Sequence, residues 1–331
     1  MKPVDSPLLS VTMPTRNRPE LFERALRSVL HAAVPVAEQV EVTVSDGSDD
    51  ERTGQLARRL LQGWPGGHRY VWNQPPLPQA GNVNRAVELA GGTWVQQLHD
   101  DDYLLPGAGV AMIEAIRAAS ATEQVLVFGA EIVDQHGERR GRGQRFRRNV
   151  YLEPREVLPL LLRDSSFVRM PSVVVRREAL EREGLFATTV GGAIDTDMWV
   201  RLFSRHGVRC LPEITCAYTI HEGAVTTGMW NPATIRDLCD IFDRAAALGV
   251  VPEGHVRRWQ ADYFHQFILA GAWRRLRLRR RAEAREVLRL FDLPEVRALG
   301  PSRKWLPVRA AFRAATAAAG HSTRSSQISR Q

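Results

Sequence analysis

The chain has 331 residues, 44% of them hydrophobic and 25% charged, which excludes disordered and fibrous classes and is enough for a substantial core. There is no run of roughly 18 apolar residues as a membrane span needs and no signal-peptide core in the first thirty residues; three cysteines without a CxxC pair fit neither a disulfide framework nor a cysteine zinc site, so a reduced, cytoplasmic setting is expected. The net charge of +8 is unevenly held: residues 251–331 carry 17 basic and 6 acidic side chains, the first 250 carry 28 and 31.

In chain order, LLSVTMPT (8–15) reads as a buried strand, and Pro19 opens a helix to about Leu30. VEVTVSD (40–46) is a second strand, followed by a helix over 50–62. RYVWNQ (69–74) is a third strand, 79–90 is helical, and WVQQLHD (94–100) is a fourth strand ending in acid. Strands alternating with helices at this spacing predict a parallel sheet with right-handed crossovers. Beyond it, 125–134 reads as a strand and RGRGQRFRRN (140–149) as a basic loop or edge strand. Residues 154–162 are helical and 170–178 extended. A Gly-rich approach leads into the helix DTDMWVRLFSRHG, and GVRCLPE and CAYTIHEG are two short extended pieces. From Pro232 the pattern is helical throughout, and the last dozen residues read as disordered.

Three acidic features fall at the C-terminal ends of elements, where open α/β sheets bind ligands. Asp46 of VSDGSDD can accept hydrogen bonds from a nucleobase or ribose, or simply belong to an Asp-Gly turn with Ser48 or Asp49 capping the next helix. In HDDDYLLP, three consecutive carboxylates repel one another unless a cation is present; a hard divalent ion suits them better than a solvated loop would, given the buried run before them. Asp195 and Asp197 head a helix, where they either face its dipole or supply a general base; spacing leaves this open. His221 is a ligand or a structural histidine. No GxGxxG follows the first strand and no GxxxxGK[ST] occurs, which shifts the holding of phosphates to a metal.

Together these segments resemble the family-2 glycosyltransferases of the GT-A fold over about residues 8–225. SVTMPTRNRPELFERALRSVL is similar to that family's opening strand and helix, VSDGSDD to its nucleotide-contacting turn, GNVNRAVELAGGTWVQQLHDDDYLLP to its donor segment with the acidic metal motif, and DTDMWVRL to its later Glu-Asp motif. The resemblance implies an α/β, Rossmann-like, mostly parallel sheet flanked by helices, with a C-terminal helical extension. It implies that Pro14, Thr15, Asn17, Asp46, Asn84 and Asp100 contact the nucleotide. Asp101, Asp102 and His221 would hold Mn²⁺ or Mg²⁺, and Asp195 would be the catalytic base. Val83, His99 and Ile194 depart from the family pattern: they stand where it places an arginine, the first aspartate of the acidic run and the acidic partner of the base.

The expected activity is inverting transfer of a sugar from a nucleoside-diphosphate sugar to a glycan, lipid-linked or natural-product hydroxyl. The alternative is a nucleotide-sugar-binding protein with a degenerate site. The expected organisation is a catalytic domain over 1–228, a basic helical region over 229–318 and a disordered tail over 319–331. Trp259, Tyr263, Phe264, Phe267 and Trp273 recur at helical spacing as core residues do, so nucleic acid is not expected as the main partner. Residues 272–291 mix arginines with apolar side chains, a pattern that fits an anionic membrane surface, at the inner face of the membrane, as well as a solvated helical face.

Overall fold

The computed structural model describes residues 6–143, 145–164, 167–221, 228–300 and 302–317. The expected disordered tail lies outside these residues. The chain divides into two compact units, Met1–Ala224 and Val225–Gln331.

The first unit begins with β1 (Leu9–Thr15), α1 (Pro19–Ala33), β2 (Val40–Asp46), α2 (Arg52–Leu61), β3 (His68–Trp72), α3 (Gln79–Glu88) and β4 (Trp94–Gln97). All seven residues of β1 and of β2 are buried, as expected for strands covered on both faces. β1 pairs in parallel with β2 and β4, and β2 with β3. The sheet order is therefore β3-β2-β1-β4, with the chain reversing direction across the sheet between β1 and β4. α1 starts at Pro19, whose missing N–H is no loss at that position, and buries Phe22, Leu26 and Val29. Leu9, Val11, Met13, Val42, Val44 and Trp94 pack against it in one core.

Past β4 the sheet becomes mixed. β5 (Tyr103–Leu104), α4 (Ala108–Ala118), β6 (Val125–Asp134), β7 (Arg139–Gly143), β8 (Val150–Leu152), α5 (Pro154–Arg163), β9 (Val173–Arg176), α6 (Arg177–Glu183), α7 (Ile194–His206) and β10 (Val208–Ile220) follow. β9 lies antiparallel between β4 and β6, and β6 pairs in parallel with β10. The parallel pattern read from the sequence thus holds in the first four strands, and antiparallel pairs extend the sheet beyond them. The basic stretch after residue 139 forms β7 at the edge of β6. The two extended pieces expected around Cys210 and Cys216 are one strand, because β10 absorbs Pro212 in register shifts between Cys210 and Ile214 and between Ile214 and Cys216. β5 pairs antiparallel with Cys216 and Ala217, which ties the acidic loop at 100–102 to the end of β10.

The second unit is helical in its described residues, as expected: α8 (Pro232–Ala247), α9 (Glu253–Arg277), α10 (Arg281–Arg289), α11 (Pro294–Ala298) and α12 (Leu306–Ala317). Asn231 caps α8 by accepting from the Thr234 N–H at 3.0 Å. Phe242, Phe264, Ile268, Leu288 and Phe291 are buried in it. No helix among the described residues is long and apolar enough to cross a membrane.

Candidate nucleotide and metal site

The reversal between β1 and β4 makes a switch point, and open α/β sheets bind ligands in the crevice outside the C-terminal strand ends at such a point. Thr15, the last residue of β1, donates its Oγ1 proton to Asp100 Oδ2 at 2.9 Å. Pro14 is buried in β1 opposite Ser45. Asn17 has the left-handed φ of 56°, which asparagine tolerates better than most residues, and links two loops. Its amide donates to Asp49 Oδ2 at 2.8 Å and accepts the Asp49 N–H at 2.9 Å, while its own N–H donates to Ser48 Oγ at 2.8 Å.

Asp46 is fully buried. It accepts the Ser48 N–H at 2.8 Å and the Tyr70 hydroxyl at 2.7 Å, so both carboxylate oxygens hold the turn. Asn82, whose α3 backbone lies beside β1 and β2, donates to the Thr15 carbonyl at 3.0 Å and accepts from Ser45 Oγ and Asn73 Nδ2. Trp72 Nε1 and Gln74 Nε2 both donate to the Ser48 carbonyl, at 2.7 and 3.2 Å. Asn84 stands apart from this web: its amide donates to the Phe186 carbonyl at 2.8 Å and accepts the Phe186 N–H at 2.9 Å, so it holds the segment after α6.

The acidic loop follows β4. Arg18 Nη1 bridges Asp100 Oδ1 and Asp101 Oδ2 at 3.2 and 3.4 Å, and His221 Nε2 lies 2.9 Å from Asp101 Oδ2. Asp102 Oδ1 accepts the Thr219 N–H at 2.8 Å, but its Oδ2 is buried with no hydrogen-bond partner among the described residues. Burial, with the Asp101 charge, pushes the Asp102 carboxyl well above the usual carboxylate range and raises Asp100 as well. Burial also works to raise Asp101, but His99, His221 and Arg18 outweigh it and hold Asp101 low. An orphaned, buried carboxylate oxygen beside a charged one fits a divalent cation. His99, Asp101 and Asp102 each bring a ligand atom within 4.8 Å of the others. The geometric set thus adds His99 to the two aspartates expected from sequence, with His221 attached through Asp101.

At the head of α7 the two aspartates differ. Asp197 is buried and paired through its Oδ2 with Arg201 Nε at 3.0 Å and Nη2 at 2.9 Å. Arg201 also donates to the Glu183 carbonyl and, at 2.7 Å, to the Leu185 carbonyl, so this pair anchors the chain before the helix. Asp195 is half-buried and, among the described residues, accepts the Thr196 N–H at 2.7 Å and the Thr196 hydroxyl at 3.3 Å. Burial raises its carboxyl above the usual range, against the pull of those bonds and of the His99 and Arg169 charges. His99 is therefore within electrostatic reach of both Asp101 and Asp195.

Sequence reasoning did not single out Arg18, Arg24, Asn82 or the ligand capacity of His99. Arg24 donates to the Asp101 carbonyl and lies over the Tyr103 ring at 5.1 Å. Arg24 lies two residues from Phe22 and two from Leu26, off the apolar face they share, so the helical pattern carried no signal for it.

A model of glycosyl transferase family 2 matches residues 10–183. The uncharacterised protein MT1568 of Mycobacterium tuberculosis is 28% identical over 214 residues, 62% of this chain and 65% of its own length. GalNAc(5)-diNAcBac-PP-undecaprenol beta-1,3-glucosyltransferase of Campylobacter jejuni is 31% identical over 132 residues, 40% of each chain. The matches span less than two thirds of either relative. Among solved structures, S. aureus TarS 1–349 in complex with UDP-GlcNAc has a TM-score of 0.63 at 16% identity, covering 93% of this chain and 88% of that one. The mannosyltransferase PcManGT of Pyrobaculum calidifontis, in complex with GDP-Man and Mn²⁺, has a TM-score of 0.56 at 20% identity, covering 95% and 86%. At these identities the likeness is one of fold.

Proposed function

The chain belongs to glycosyl transferase family 2, and from that premise we propose that it transfers a sugar from a nucleoside-diphosphate sugar to an acceptor hydroxyl, with inversion at the anomeric carbon. The UDP-GlcNAc and GDP-Man held by proteins of the same fold support this donor class. Thr15, Asn17 and Asp100 line the nucleotide side of the crevice, with Pro14 in its wall. Asp46 and Asn84 act through the loops they hold. Arg18, partly exposed beside Asp100 and Asp101, offers the diphosphate a cation.

His99, Asp101 and Asp102 would hold Mn²⁺ or Mg²⁺, with His221 steadying Asp101. A divalent ion there neutralises the charge that develops on the departing diphosphate. Asp195 takes the proton of the acceptor hydroxyl as its oxygen attacks the anomeric carbon and the bond to the diphosphate oxygen breaks. Its raised affinity for a proton suits that task. The Oδ2 of Asp102, buried without a hydrogen-bond donor among the described residues, carries the reading most directly, because a divalent cation would satisfy it.

Release of nucleoside diphosphate from UDP-, dTDP- and GDP-sugars with and without Mn²⁺ tests it. Metal-dependent release from one of them, lost in Asp101→Asn, is expected. Release that proceeds equally with a chelator present, or no release with any donor and acceptor extract, contradicts it.

A further inference from the structure

The arginines at the end of α9 divide into two groups. Arg274 and Arg275 lie over the Trp230 ring at 5.3 and 5.0 Å, and Arg275 and Arg280 approach Glu283 at 3.9 Å. Arg285 donates to the Thr316 carbonyl, Arg289 pairs with Glu286, and Arg309 and Arg313 with Asp292. Arg277, Arg279 and Arg281 have no acidic partner among the described residues and are exposed. They are concentrated in the α9–α10 turn.

The same turn exposes large apolar side chains. Trp273 is 53% exposed and stands one helical turn before Arg277, on the same face of α9. Its ring is braced against Phe312, with centroids 6.2 Å apart. Leu278, which ends α9, is 49% exposed. The turn closes with the Arg280 N–H on the Arg275 carbonyl and the Arg279 N–H on the Leu276 carbonyl, both at 2.9 Å. That is a Schellman closure, in which the left-handed position usually belongs to glycine. Here Arg279 occupies it, at a φ of 59°. A strained arginine in an exposed turn points to a use for its charge.

We propose that the α9–α10 turn docks on an anionic lipid bilayer, with Trp273 and Leu278 in the interfacial layer and Arg277, Arg279 and Arg281 against lipid phosphates. Cations flanking an amphipathic ring and an aliphatic side chain match a headgroup region bordering hydrocarbon. A second copy of the chain would bring the same unpaired cations face to face. A nucleic acid would leave Leu278 without a role, since an aliphatic side chain has no π-face for a base. The inference stands apart from the transferase reading, because it concerns only the second unit.

Sedimentation of the full chain with phosphatidylcholine vesicles, with and without phosphatidylglycerol, at low and high salt, tests it. Binding only to the anionic vesicles, reversed by high salt, is expected. Arg277→Gln, Arg279→Gln and Arg281→Gln together should weaken it about a hundredfold, and Trp273→Ala about tenfold. The corresponding triple lysine variant should bind like the parent, and an unchanged unfolding temperature separates these effects from misfolding. No sedimentation with anionic vesicles, undiminished binding by the triple glutamine variant, or tighter binding to single-stranded RNA than to the vesicles overturns the proposal.

Discussion

Asp102 combines full burial, a charged neighbour and an oxygen without a donor. Its proton is held more tightly folded than unfolded, so the metal-free protein loses stability as pH rises from the ordinary carboxylate value through the raised one. Asp102→Asn keeps the acceptor for the Thr219 N–H and removes the crowded charge. It should raise the unfolding temperature of the metal-free protein near neutral pH while abolishing the gain that Mn²⁺ gives the parent. A gain from Mn²⁺ that survives in Asp102→Asn excludes this carboxylate as a ligand. Asp195→Asn should bind nucleoside diphosphate like the parent and slow turnover by about 10²–10⁴-fold. The parent's kcat should fall as pH falls through the raised Asp195 value, so its acid limb lies above the ordinary carboxylate range; a limb at or below about pH 4 would place the base elsewhere. The cluster Asp100–Asp102 was legible because charge repulsion in a strand-end run is visible in letters. His99 as a ligand was not, because ligand capacity depends on which way a loop turns the ring.

At the scale of elements, ion pairs and close approaches hold the pieces that carry the site. Arg201 serves both buried Asp197 and two carbonyls between α6 and α7. Arg201→Ala takes the guanidinium away from the buried Asp197 carboxylate and should cost about 3–5 kcal/mol in denaturant titration; a loss under about 1 kcal/mol would mean the pair does little. Glu123 joins Arg209 of β10 to the loop before β6, with its side chain only 5% exposed. Burial would raise its pKa, but Arg209 and the Ser120 N–H outweigh that and lower it. Its stabilisation is present above the unfolded value and fades as pH falls through the lowered folded one. Glu123→Gln should therefore be less stable than the parent at neutral pH and converge with it in acid, as parallel thermal melts would show. Gly271 fits against Trp230, whose ring would lie 2.4 Å from a Cβ there, so Gly271→Ala must push the ring off α9. The first four strands were legible because continuous burial leaves continuous apolar runs; β10 was not, because Pro212 reads as a break and pairing with β6 carries the strand across it.

For the whole molecule, the excess positive charge belongs to the second unit, while the first gathers buried acids in the loop after β4 and at the head of α7. Composition showed that division and implied neither partner, since charge sign alone does not distinguish lipid phosphate from nucleic acid. The apolar residues exposed in the α9–α10 turn became visible only once the helices were packed. Whether a divalent cation completes a nucleotide site is decided by thermal unfolding of the parent and of Asp101→Asn with UDP, GDP and dTDP, each with and without Mn²⁺. At least one nucleotide should raise the parent's unfolding temperature strongly only when Mn²⁺ is present, by about 2–3 kcal/mol of stabilisation at a hundredfold excess over Kd, and Asp101→Asn should show no such gain. A gain of equal size without metal, or in Asp101→Asn, or none with any of the three nucleotides, would contradict it.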